Sequence, residues 1–257
     1  MKPERSLKQR LAAGETVFGT FVNTPAGGLI EIMGHAGLDF VILDTEHGPL
    51  SIETCEELLR AVSSVGMSSI IRILSNEPTL AQRALDIGAG GIQVPQVQSK
   101  ADAERAVQGA KYAPLGLRGL STFLRAADYG ATAQGHTDRA NAESLVVIHI
   151  EGRSAVEAID DILTVEGVDV IFLGPYDLSQ SVGVPGQVEH PQVMEMMRTV
   201  AEKTRAAGKI LGSFARDVSY ARRLMELGTC YLVYGVDVGV YLEAWRERVA
   251  ALRGSGR

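Results

Sequence analysis

The sequence predicts an α/β fold, a single (β/α)8 TIM barrel spanning residues 1–257. Three features carry that prediction: the length of 257 residues, eight short apolar runs of strand length, and amphipathic helical stretches spaced between them. This length is too short for two ordinary domains and common for one barrel. Near-continuous apolar strands imply burial on both faces, which a closed parallel sheet provides, and each parallel crossover needs a helix. A doubly wound open sheet is the competing architecture, but no Gly-x-Gly-x-x-Gly follows the first strand. The glycines at 88–91 precede a strand instead, where they serve a tight helix-to-strand turn.

An N-terminal helix is expected ahead of the first strand, at 16–22 (TVFGTFV). The second strand, 40–46 (FVILDTE), leads into SIETCEELLRAVSSV, whose apolar residues recur at helical spacing. The third, 69–74 (SIIRIL), and the fourth, 91–95 (GIQVP), flank TLAQRALDIG, which ends on glycine as helices often do. KADAERAVQGAKY reads as the next helix. About 113–143 follows, an irregular stretch much longer than ordinary barrel connections and expected to lie over the C-terminal mouth as a lid. The remaining strands fall at 145–151 (LVVIHIE), 169–174 (DVIFLG), 210–215 (ILGSFA) and 231–235 (YLVYG). VMEMMRTVAEKTRAAG and VSYARRLMELG supply helices before and after the seventh. VGVYLEAWRERVAALR predicts a C-terminal helix with apolar residues suited to packing across subunits, and 254–257 (GSGR) a frayed tail.

Composition narrows the function. No apolar run approaches the roughly 18–20 residues of a bilayer span, and 46% hydrophobic content is too high for a disordered chain. A net charge of -6 offers no basic field for phosphates, so neither nucleic acid nor membrane is an expected partner and a small molecule is. Cys55 and Cys230, far apart in sequence, make neither a disulfide framework nor a cysteine zinc site. With no apolar core in its first residues, the chain reads as cytoplasmic.

Chemistry in a barrel sits at the C-terminal strand ends, and here those ends are polar. The second ends in Asp44, Thr45, Glu46 and His47; the third carries Arg72; the fifth ends in His149 and Glu151; the sixth runs into Gly174, Pro175, Tyr176 and Asp177. Charged groups in apolar strands are costly unless paired or bound to a metal. Glu151 and Asp177 form a hard oxygen pair suited to Mg²⁺ or Mn²⁺, with coordination positions left for water and the two oxygens of a 2-oxo acid; structural ion pairing is the competing reading. Asp44 and His47 have the pattern of an orienting carboxylate and a base once His47 leaves the strand, against a helix-capping histidine. Arg72 either stabilises a developing enolate or completes an ion pair with an acid such as Glu46. The free amides of Tyr176 and Asp177 are placed to receive a substrate carboxylate. His149 shares strand parity with Glu151 and points inward, to hold a metal-bound water or to satisfy the core.

The segments ILDTEHGP, IIRI, VPQVQSKADAE, LRGLSTFLRA, IHIEGRSAVEAIDDILTVEGVDVIFLGPYDLSQSVG and GVD resemble the class II pyruvate aldolases of the HpcH/HpaI group over nearly the whole chain. The resemblance implies a TIM barrel that cleaves 4-hydroxy-2-oxo acids reversibly to pyruvate and an aldehyde through a metal-bound pyruvate enolate. It implies a divalent cation, Mg²⁺, Mn²⁺ or Co²⁺, and assembly as trimers paired into hexamers. By position, Glu151 and Asp177 correspond to metal ligands, Arg72 to the enolate-stabilising arginine, and His47 with Asp44 to a catalytic dyad.

Two departures bear on the substrate. His149 stands where the family pattern has glutamine, and Ser213-Phe214 closes the seventh strand with a ring where an aliphatic residue is expected, narrowing the aldehyde pocket. Ser213, Phe214, His149, Gly174 and Tyr176 are therefore read as substrate-binding residues alongside Arg72 and Asp177. Arg118 and Arg125 in the predicted lid are candidates for a distal carboxylate or polyol, or are plain surface residues. The same chemistry also serves an oxaloacetate decarboxylase or a malyl- or citramalyl-CoA-type lyase, although no basic groove for coenzyme A is evident. A noncatalytic 2-oxo-acid-binding barrel is the alternative outside enzymes.

Overall fold

Eight parallel strands close on themselves in chain order in the computed structural model, which describes residues 5–254. Helix α1 (Leu7–Ala12) opens on a capping box, with the Ser6 hydroxyl accepting from the Gln9 N–H and the Gln9 side chain accepting from the Ser6 N–H. The units that follow are β1 (Val17–Val22) with α2 (Gly27–His35), β2 (Phe40–Asp44) with α3 (Ile52–Ser64), β3 (Ser68–Arg72) with α4 (Pro78–Asp86), and β4 (Gly91–Val94) with α5 (Lys100–Ala110). A 3₁₀ turn (Arg125–Gly130) and α6 (His136–Glu143) precede β5 (Leu145–Ile150), which leads to α7 (Arg153–Glu157) and α8 (Ile159–Leu163). Then come β6 (Val170–Leu173) with α9 (Pro175–Ser181) and α10 (Pro191–Ala206), β7 (Ile210–Ala215) with α11 (Val218–Glu226), and β8 (Tyr231–Val236) with α12 (Asp237–Leu252).

Alternation along each strand divides the core into two layers. Phe21, Phe40, Ile70, Val147, Phe172 and Tyr231 fill the barrel, while Val41, Leu43, Ile71, Ile148 and Ile171 pack beneath the helices. Glycine makes room for the interior rings: a Cβ on Gly19 would lie 2.5 Å from the Phe40 ring, which stacks on Tyr231 at 4.4 Å. Burial of each such ring contributes about 2–3 kcal/mol. Helix α2 carries no clear periodic signal in the sequence because Gly27, Gly28 and Gly34 dilute it. Its Gly34 lets Val65 approach so closely that a Cβ there would meet it at 2.5 Å.

Strands β2 and β3 stop at Asp44 and Arg72, two residues short of the predicted ends. Asp44 Oδ1 accepts the N–H groups of Glu46 and His47, at 3.0 and 3.3 Å, a local turn that lifts the chain out of the sheet.

The lid expected over the C-terminal mouth is corrected by the structure. Residues 113–143 follow α5, by which point the chain has crossed back to the N-terminal end of the barrel. There the segment packs on the last turns of α3 and α4. Arg125 Nη1 donates to the Ile87 carbonyl at 2.9 Å, and Arg118, over the Tyr112 ring, pairs with Asp86 at 2.7 Å. Lys111 ties its two ends together, donating to the Asn141 carbonyl and to the Ser144 carbonyl and hydroxyl, and burial pulls its ammonium pKa down to about 8. A cavity of about 750 Å³ opens at this end, but Arg118 and Arg125 on its wall are engaged by protein partners and stand far from the strand ends they were expected to serve.

Helix α12 buries only Asp237, whose carboxylate accepts the N–H groups of Asn23 and Thr24, and leaves Val240, Tyr241, Leu242 and Trp245 exposed. Among the described residues no helix is long and apolar enough to cross a membrane. Cys55 and Cys230 are both free, and burial pushes the Cys55 thiol up to about 12. Of the predicted tail, residues 255–257 lie outside the described part of the chain.

Candidate active site

At the C-terminal mouth the register pairs Asp44 of β2 directly with Arg72 of β3. Both point inward, and the guanidinium grips the carboxylate with two bonds, Nε to Oδ1 at 2.8 Å and Nη2 to Oδ2 at 2.6 Å. Its Nη1 reaches Glu46 Oε2 at 3.1 Å, and the Phe21 ring supports its face at 4.4 Å. Burial would raise the Asp44 carboxyl, but Arg72 and the amides of Glu46 and His47 outweigh it and hold the group below its ordinary range. Glu46 goes the other way, raised by burial despite Arg72. Two of the five guanidinium N–H groups are thus hydrogen-bonded to Asp44, while Nη1 only lies in ion-pair range of Glu46, so N–H groups remain for a ligand.

The expected contact between the Asp44 carboxylate and the His47 ring is not made. Arg72 occupies both carboxylate oxygens, and Asp44 meets His47 only through its backbone N–H. The imidazole, two-thirds exposed, has Glu46 Oε2 as its neighbouring carboxylate, at 3.8 Å from Nε2. Glu46 therefore links the arginine to the histidine, a position that sequence reasoning treated only as a partner for Arg72.

Glu151 lies one residue beyond β5 and Asp177 in the first turn of α9, on either side of Gly174. A Cβ added to Gly174 would sit 3.0 Å from Glu151 Oε2 and 3.8 Å from Asp177 Oδ2, so both carboxylates border one small space that only glycine leaves open. Burial first, and then the negative charge of Glu151, raise the Asp177 carboxyl; the Asp177 side chain makes no hydrogen bond or ion pair among the described residues. Glu151 is held below its usual range, burial being outweighed by His149 and the Gln96 N–H. Two neighbouring carboxylates, one without a protein partner, are a donor set that fits a hard divalent cation. No three His, Cys, Asp or Glu side chains gather as a cage among the described residues, so such an ion would complete its shell with water or ligand oxygens.

His149 lies below Glu151 on the inner face of β5, with both ring nitrogens engaged: Nδ1 is 2.8 Å from Glu151 Oε2 and Nε2 is 2.6 Å from Gln93 Nε2. Its expected contact with substrate is therefore replaced by a contact with Glu151. Ser213 is likewise corrected. Adjacent strand residues face opposite ways, so with Phe214 turned into the barrel mouth the Ser213 hydroxyl points outward and donates to the Leu173 carbonyl at 3.0 Å. Phe214 stands 6.1 Å from Phe21 and 5.9 Å from Tyr176, and with Tyr176, Arg216 and Tyr234 it lines a cavity of about 400 Å³ that the start of α12 closes with Val240 and Glu243.

Sequence reasoning did not single out Gln93, Tyr231, Gln96 or Phe21. Gln93 left a trace, a polar residue at an inward position of an otherwise apolar strand. The Gln96 contribution is a backbone N–H, donated to Glu151 Oε1 at 2.7 Å, and leaves none.

The family model HpcH/HpaI aldolase/citrate lyase matches residues 18–244. A pyruvate aldolase of Rhizobium etli is 37% identical over 97% of this chain and 97% of its own length. A 2-keto-3-deoxy-L-rhamnonate aldolase of Salmonella gallinarum is 32% identical over 96% of this chain and 92% of its own. Among solved structures, a HpcH/HpaI aldolase/citrate lyase family protein from Burkholderia cenocepacia superposes with a TM-score of 0.92 at 32% identity, covering 96% of this chain and 98% of the other.

Proposed function

The chain belongs to the HpcH/HpaI aldolase/citrate lyase family, and from that membership we propose that it is a class II aldolase, a carbon–carbon lyase that cleaves 4-hydroxy-2-oxo acids reversibly to pyruvate and an aldehyde. The observation that carries the reading is the pair of carboxylates, Glu151 and Asp177, bordering the open space at Gly174 within the electrostatic reach of Arg72 and His47. Those two carboxylates would hold a divalent cation, Mg²⁺, Mn²⁺ or Co²⁺. When bound, the ion supplies Lewis acidity toward the carboxylate and C2 carbonyl of the 2-oxo acid.

The chain's own groups account for the rest. Amides at the start of α9, Tyr176 and Asp177, receive the substrate carboxylate. The exposed His47 imidazole takes the proton of the C4 hydroxyl, and the adjacent Glu46 carboxylate stabilises the cation so formed. As the C3–C4 bond breaks, its electron pair moves toward the C2 oxygen. The N–H groups of Arg72 not bonded to Asp44 stabilise that charge, with Asp44 and Glu46 fixing the guanidinium plane. The pyruvate enolate then takes a proton at C3 from water, and the exposed His47 imidazolium gives its own back to solvent. Phe214 and Tyr176 wall the space left for the aldehyde. Assembly into a homo-oligomer, trimer or hexamer, is supported by the exposed apolar residues of α12.

The test is pyruvate release from a panel of 4-hydroxy-2-oxo acids, coupled to lactate dehydrogenase, with oxaloacetate and malyl thioesters run beside them. Chelator is expected to stop release, and Mg²⁺, Mn²⁺ or Co²⁺ to restore it. Turnover indifferent to chelator, or confined to oxaloacetate or a thioester, refutes the proposal.

A further inference from the structure

We propose that Gln93 and Tyr231 act through His149 as positioning residues for Glu151, the four side chains forming a one-directional hydrogen-bond chain that holds the carboxylate ready to grip a divalent cation. The inference rests on the cation role proposed above for Glu151.

The direction of the chain follows from its buried end. Tyr231 is fully buried in the barrel, and its hydroxyl donates to Gln93 Oε1 at 3.1 Å. That bond turns the amide nitrogen of Gln93, also fully buried, toward His149 Nε2 at 2.6 Å. An amide N–H only donates, so Nε2 accepts and the ring proton resides on Nδ1, which donates to Glu151 Oε2 at 2.8 Å. Reversing the chain would set a bare Nδ1 against a carboxylate, lone pair to lone pair, and strand the Tyr231 proton in the core.

Packing fixes the ring as well as the tautomer. Phe172 stacks on His149 at 4.7 Å and presents its edge to Tyr231 at 6.1 Å, so neither ring can turn without displacing the other. The second carboxylate oxygen is held by the Gln96 N–H, from a residue at φ +56°, a left-handed conformation that side chains other than glycine seldom adopt. Each oxygen of Glu151 thus accepts one bond from the protein and keeps a lone pair for a ligand. Loss of such an outer partner typically costs 10–100-fold in metal affinity.

The experiment titrates Mn²⁺ calorimetrically into the full chain and its Gln93→Leu, Tyr231→Phe and doubly substituted variants, with thermal denaturation in parallel and ring ¹⁵N spectra of His149 in the unsubstituted protein. The spectra are expected to show Nδ1 protonated and Nε2 bare. Gln93→Leu is expected to weaken Mn²⁺ about tenfold or more, and Tyr231→Phe less. The double variant should regain part of the thermal stability lost in Gln93→Leu, because the orphaned hydroxyl is gone, without regaining affinity. Single variants that bind Mn²⁺ as the parent does, affinity that follows thermal stability across the set, or a ring protonated on Nε2 would each overturn the positioning role while leaving the aldolase reading intact. A parent that binds no Mn²⁺ would overturn both.

Discussion

Replacing Arg72 separates the chemistry from the scaffold more cleanly than any other change, provided the substitution is chosen with the pairing in mind. Asp44 is 1% exposed and the Glu46 side chain 9%, so Arg72→Ala leaves two buried carboxylates without their partner. Breaking a buried pair in this way costs about 3–5 kcal/mol, and for a chain of this size it lowers Tm by roughly 6 °C or more. Arg72→Lys keeps the charge but lacks the planar fork that satisfies Asp44 with two bonds, pairs with Glu46 and still leaves N–H groups free. If those free groups stabilise the enolate oxygen, their loss is worth about 2.7–4 kcal/mol, or 10²–10³ in kcat. The lactate dehydrogenase-coupled assay should therefore show kcat lower by that factor in Arg72→Lys, with Mn²⁺ affinity by calorimetry within about threefold of the parent. Retention of kcat within tenfold, or a loss of cation affinity as large as the loss of turnover, would refute the assigned role.

Glu151→Ala and Asp177→Ala should each abolish chelator-sensitive pyruvate release and raise the Mn²⁺ Kd beyond measurement; activity that Mn²⁺ still stimulates in both would remove them as ligands. Phe214→Ala opens the wall formed with Phe21 and Tyr176 and should shift the kcat/KM ratio of a bulky over a small aldehyde acceptor by about tenfold, measured in the condensation direction; an unchanged ratio argues against that wall. The Asp44 carboxyl is easier to ionise folded than unfolded, so its pairing contributes stability above the unfolded carboxyl pKa near ~3.9 and loses it as pH falls through the lower folded value. Asp44→Asn should accordingly flatten the decline of Tm below about pH 4, and a parallel decline in both proteins would contradict this. Charged substitutions at Tyr241 and Trp245 on α12 should yield smaller species in light scattering than the parent; a monomeric parent disposes of the oligomer.

How far the site was legible depends on the kind of contact. The parity that sets His149 and Glu151 on one inward face is local, and the same rule, applied to Ser213 and Phe214, shows that both cannot face the substrate. The topological rule that a segment after a barrel helix lies at the N-terminal end would likewise have placed 113–143 correctly, since KADAERAVQGAKY already reads as a helix. The partnership of Gln96 with Glu151 had no such route to recognition, because a backbone N–H is the same in every residue but proline, and what aims it is the left-handed turn at Gln96.

From residue order alone come the barrel, its strand count and the polarity of its C-terminal strand ends, because burial on both strand faces and helical spacing are written in neighbouring side chains. Tertiary structure decided which charges meet. Asp44 has several donors within reach of its sequence neighbourhood, and it is the β2–β3 register that sets Arg72 opposite it, consumes both its oxygens and leaves His47 to Glu46. Competition among polar groups for a limited number of buried partners is settled between strands, at distances that no local pattern encodes.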